Sequence, residues 1–152
     1  MREVKYRAWV ERKKVLVDVL SIDFKERTVR LPIQTPVTAD YWWDETTWNF
    51  EDVVLMQYTG LKDKNGREIY EKDVAEIKHT YDYMAFDGYE RSWTITKGEV
   101  AFNYAGFDVK YLDRDGEPVW SGITLMECLS DMVSEWEVIG NVFENAEILE
   151  DK

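Results

Sequence analysis

Histidine and cysteine are almost absent: His79 and Cys128 are each the only one of their kind among 152 residues. A histidine-rich zinc site and an internal disulfide framework are therefore excluded, and no spacing supports a Ser–His–Asp or Cys–His pair. The bland reading of His79 is a loop or strand-end residue. Cys128, at apolar helical spacing with Leu125 and Leu129, reads as a small core residue. A lone cysteine fits a reducing compartment, so the expected location is cytoplasmic. No stretch approaches the roughly 18–20 apolar residues of a membrane span. Three of the residues from Met1 to Tyr6 are charged and no apolar block follows them, so no signal peptide is expected. Positive charge is also short, with 19 basic residues against 31 acidic ones and a net of −12. Residues 1–52 hold 9 basic and 10 acidic residues, whereas residues 53–152 hold 10 and 21. A phosphate-binding surface draws its affinity from the opposite sign, so direct nucleic-acid binding is not expected. The run Arg12-Lys13-Lys14 reads as a solvated turn.

Phosphate loops and dinucleotide fingerprints are missing as well. Asp113-Arg114-Asp115-Gly116-Glu117 faintly resembles the start of a calcium loop, but the position that needs a bidentate glutamate is Thr124. A hairpin turn explains these residues better. The acidic residues supply many carboxylate pairs, yet none is singled out for glycosidase-like work. The expectation is no catalytic residue, no metal ligand set and no cofactor.

Aromatic residues are plentiful, at 14 % with seven Trp and nine Tyr, and they favour pleated, half-buried surfaces. Strands are expected over Val4–Val10, Val15–Leu20, Thr28–Leu31, Val53–Tyr58, Val74–Lys78, Trp93–Thr96, Glu99–Tyr104, Phe107–Leu112 and Glu135–Ile139, the last running on into Phe143. Pro32 and Pro36 bracket a connection. Residues 79–92 read as a long loop, Leu125–Leu129 as a short helical piece, and Asn145 as the cap of a final helical turn. Asp63-Lys64-Asn65-Gly66 is a turn that needs positive φ at Gly66. Many short strands between glycine-rich turns suggest a mainly β fold, a small barrel or sandwich with very little helix. The charge asymmetry divides the chain into an N-terminal β part, 1–52, and an acidic part, 53–152.

The block Leu55-Met56-Gln57-Tyr58-Thr59-Gly60-Leu61-Lys62-Asp63-Lys64-Asn65-Gly66-Arg67-Glu68-Ile69-Tyr70-Glu71-Lys72-Asp73-Val74 closely resembles the signature of the YopX family of phage and prophage proteins. Tyr6-Arg7-Ala8-Trp9 looks like the opening strand of that family, and Trp136-Glu137-Val138-Ile139-Gly140-Asn141-Val142-Phe143-Glu144-Asn145 like its closing block. The resemblance implies a β-rich fold whose C-terminal part is an SH3-like barrel, and a phage or prophage origin. Two departures stand out: Lys72 where the family usually has glycine, and Val10 where it often has aspartate. If the turn at Lys72 needs positive φ, that residue is strained.

The aromatic group Tyr41, Trp42, Trp43 and Trp48 is the candidate interaction surface. Its readings are core first, subunit contact second and external ligand third. The leading functional expectation is a non-enzymatic accessory protein, a homo-oligomer or one bound to a host or phage protein. The alternatives are a small carboxylate- or metal-dependent hydrolase and an acidic DNA mimic that blocks a DNA-binding protein.

Overall fold

The computed structural model describes residues 3–33, 46–103, 106–120 and 135–150. Tyr41, Trp42, Trp43, Cys128 and the helical piece expected at Leu125–Leu129 lie outside the described residues. Within them the chain is mostly β, with twelve strands and short 3-10 turns at Phe50–Asp52 and Ala146–Leu149. No described helix is long and apolar enough to cross a membrane.

The chain divides into two compact units, Met1–Tyr58 and Thr59–Lys152. In the first, β1 (Tyr6–Val10) pairs antiparallel with β2 (Val15–Asp18) on one side and with the start of β6 (Val54–Lys62) on the other. The basic run Arg12-Lys13-Lys14 is the turn of the first hairpin, with Lys14 at φ 53. The strand expected over Val15–Leu20 is split, because the chain turns after Asp18 into β3 (Ser21–Asp23). That strand, β4 (Thr28–Arg30) and β5 (Thr47–Asn49) form a second, three-stranded sheet. Ala8, Val10, Val29, Leu31 and Trp48 make the core here.

In the second unit, β7 (Glu68–Tyr70) lies beside the continuation of β6. The expected end of β6 at Thr59-Gly60 is not an end. Gly60 takes φ 88 and the strand runs on to Lys62, while the Thr59 hydroxyl donates to the Ile69 carbonyl at 2.7 Å. A five-stranded antiparallel sheet follows in the order β11 (Pro118–Trp120), β10 (Gly106–Leu112), β9 (Gly88–Asn103), β8 (Asp73–Ala85), β12 (Glu135–Asn141). Its buried face carries Ala75, Ile77, Val100, Phe107, Val109, Trp136 and Val138, packed with Ile69.

The largest correction concerns residues 79–92, expected as a loop. They are the far half of a continuous β8–β9 hairpin, in register from Val74 opposite Glu99 to Ala85 opposite Gly88, with Phe86-Asp87 as its two-residue corner. Thr80, Tyr81, Tyr83 and Tyr89 all suit strands, but no buried face imposes the alternation that marks one. Gly98 does not break β9 either. A Cβ there would lie 2.4 Å from the Lys110 carbonyl oxygen, so glycine lets the neighbouring strand approach.

Candidate interaction surface

The residues of the signature block are spent on holding the chain. Asp63 opens its turn with one carboxylate oxygen accepting from the backbone N–H groups of Asn65 and Arg67, both at 2.9 Å. The other oxygen accepts from the N–H of Val138 at 3.0 Å, tying the turn to β12. Burial pushes the Asp63 carboxyl up, but the N–H groups of Val138, Arg67 and Asn65 outweigh it and hold the group below its ordinary value. Gly66 closes the turn at φ 81, as the sequence demands. Asp73 is fully buried and accepts from the N–H of Tyr70 at 2.8 Å.

Lys72, one of the two departures from the resemblance, takes φ 66. The backbone conformation is therefore the glycine one, borne by a residue with a side chain. Its N–H donates to Val100 and its carbonyl accepts from Val142, at 2.9 and 3.0 Å, and its ammonium reaches Glu99 at 2.5 Å. The closing block is organised in the same manner. Asn141 accepts from the N–H groups of Phe143 and Glu144, both at 3.0 Å, which ends β12 at Asn141 rather than at Phe143. Asn145 precedes the Ala146–Leu149 turn but does not cap it, because its side chain accepts from the N–H of Asn141.

The calcium-like run behaves as a turn. Asp113 accepts from the N–H groups of Asp115 and Glu117, both at 2.9 Å, with Gly116 at φ 83. It is the same device as Asp63-Lys64-Asn65-Gly66-Arg67, built a second time between β10 and β11. Among the described residues no group of three or more His, Cys, Asp or Glu could hold a metal ion.

Of the four aromatic candidates, Trp48 alone is described. It is buried in the core of the first unit, and its indole N–H donates to the Ile33 carbonyl at 3.3 Å. His79 sits in β8 opposite Thr94.

An exposed apolar surface lies elsewhere, on the far half of the β8–β9 hairpin. Beyond Lys78 on β8, and before Glu99 on β9, the flanking strands no longer pair with it among the described residues. Among the described residues, what continues is a two-stranded ribbon. Residues directly opposite each other share a face, so Glu76, Lys78, Thr80, Asp82 and Met84 share one with Lys97, Ile95, Trp93, Arg91 and Tyr89. On that face Trp93 is 56 % exposed, Ile95 46 %, Met84 74 % and Tyr89 77 %, and Phe86 stands fully exposed at the corner.

The charges of this face are held in place. Arg91 donates twice to Asp82, at 2.9 and 3.3 Å, and holds the Asp82 carboxyl below its ordinary value. Glu76 and Lys97 are 3.8 Å apart. The Lys78 ammonium lies 5.6 Å from the centre of the Trp93 ring, within cation–π range. Four large apolar side chains so exposed present several hundred Å², roughly the size that marks interaction sites on soluble proteins. Hydrophobic periodicity could not reveal this surface, since it is an apolar face that the monomer does not bury. The available signal was the run of strand-forming residues around Asp87-Gly88.

No curated protein sequence matches the chain. Among solved structures, the crystal structure of protein EF1440 from Enterococcus faecalis is similar to it, with 27 % identity and a TM-score of 0.53. That match covers 98 % of this chain and 99 % of the other. The YopX protein family matches residues 5–150, from just before β1 to the closing turn, and the chain belongs to that family.

Proposed function

We propose that the protein is a non-enzymatic accessory protein of phage or prophage origin, working in the bacterial cytoplasm through contacts with other protein surfaces. The observation that carries this reading is the β8–β9 ribbon, whose large apolar side chains are presented to solvent on a framed, ion-paired face. The ordering of the carboxylates supports it. Asp63, Asp73 and Asp108 are buried, and each accepts from backbone N–H groups. Carboxylates used this way fix turns and strand ends. The acidic part built around β8 to β12, on the plan of an SH3-like barrel, would keep the protein soluble and favour basic partner surfaces.

The reading is tested by affinity capture with the tagged full-length chain from cells carrying a related prophage. It expects a specific protein, or untagged copies of the chain itself, recovered above a tag-only control. Recovery indistinguishable from that control, together with turnover of a substrate by the purified chain, would replace it with the hydrolase reading.

A further inference from the structure

The outer face of the ribbon has a charge pattern that decides what fits on it. It holds two carboxylates, Glu76 and Asp82, and three cations, Lys78, Arg91 and Lys97, in a chain whose net charge is −12. Two copies brought together by most other surfaces would set like charges against each other. This face is close to neutral.

The pattern is also self-complementary. Consider two ribbons stacked face to face and running antiparallel, related by a two-fold axis at the level of the Thr80–Trp93 pair. Trp93 then meets Trp93 of the other copy at the centre. One step outward on β9, Ile95 meets the Arg91 stem of the other copy, and a further step sets Lys97 against the ring of Tyr89. On β8, Lys78 meets Asp82 of the other copy, and Glu76 meets Met84. No like charges face each other, and every cation meets a carboxylate, an apolar side chain or a ring. Trp93 lies at the centre, where energetically dominant interface residues are found, and the charges that flank it each have a partner on the other copy.

We propose that this face is where two copies of the chain associate, ribbon on ribbon, about a two-fold axis at Trp93. The inference rests on the reading of the protein as one that works through protein contacts, and it names the surface and the partner. The two-fold rule makes the contact isologous, so each substitution acts twice. Patch size places the association in the range of a modest interface, formed at micromolar concentrations rather than permanently.

The experiment is sedimentation equilibrium on the full-length chain from about 1 to 100 µM, an interval matched to a modest interface. Dimers, or higher species built from them, are expected. Trp93→Ala should raise the dissociation constant at least about thirtyfold, the effect of losing a central hot-spot residue. Its melting temperature should be unchanged, since Trp93 lies outside the core.

Lys78 and Asp82 supply the sharper arm. Four residues apart on one strand, they are separated by about 13 Å and do not touch within a copy. Lys78→Glu and Asp82→Lys should each weaken association several-fold, and the double variant should recover much of the loss. Recovery requires contact between copies.

A chain that stays monomeric at 100 µM overturns the inference and leaves the broader reading to the capture experiment. A dimer indifferent to Trp93→Ala, or a double variant no better than its worse parent, rejects this surface while self-association itself stands.

Discussion

At the scale of residues, the most informative side chains are those whose chemistry is already committed. Asp63 serves three backbone N–H groups in two elements. Asp63→Ala leaves the buried N–H of Val138 without its acceptor, and the expected loss is about 2–3 kcal/mol, measurable by urea unfolding. The sign of the pH effect follows from its depressed carboxyl. The contribution is complete above the ordinary aspartate value of the unfolded chain and is lost as pH falls through the lower value of the folded one. Stability of the native chain should therefore fall more steeply on acidification than that of Asp63→Asn, and parallel acid titrations followed by tryptophan fluorescence check it.

Lys72 offers a cleaner separation. Lys72→Gly and Lys72→Ala both lose the ion pair with Glu99, but only alanine keeps a Cβ at φ 66. Lys72→Gly should be the more stable of the two by about 1 kcal/mol, and equal melting temperatures would show that φ 66 is not the true backbone conformation.

At the scale of elements, legibility in the sequence followed burial. β1, β10 and β12 were readable because strand-forming residues run between turn signals and pack into a core. The turns at Gly66 and Gly116 were readable because Asp-x-Asn-Gly and Asp-x-Asp-Gly carry their own hydrogen-bonding instructions. Residues 79–92 of the β8–β9 ribbon were not readable as strand, since no core selects one of their faces, whereas Trp93–Thr96 was. Tyr41, Trp42, Trp43 and Trp48 form a cluster in the sequence, whereas the exposed Trp93 stands among polar residues along β9.

The ribbon should thus be separable from the fold that carries it. Replacing residues 80–93 by Asn-Gly closes a two-residue hairpin on the His79–Thr94 pair. The melting temperature of that chain should stay within a few degrees of the native one, because the removed residues lie outside the core. Gly98→Ala acts at the other end of the same strand. The added methyl would overlap the Lys110 carbonyl and the Val109 side chain, so a loss of more than about 2 kcal/mol is expected by denaturant unfolding.

At the scale of the whole molecule, family membership spans residues 5–150 and the described residues are mostly β, while the acidic balance bears on the proposed association of copies. A net of −12 per copy opposes association at low ionic strength and is screened by salt. Salt should therefore act on the proposed association in two opposed ways, screening the repulsion between copies and weakening the two Lys78–Asp82 contacts, so the net dependence should be shallow. The proposed action through the β8–β9 ribbon is tested by the solution mass of the native chain beside that of the Asn-Gly chain lacking residues 80–93. Light scattering coupled to size exclusion at about 100 µM, chosen for a modest interface, should give the native chain at twice the monomer mass or a multiple of it. The shortened chain, still folded by circular dichroism, should run as a monomer. A native monomer, or a shortened chain that associates as well as the native one, would contradict the account.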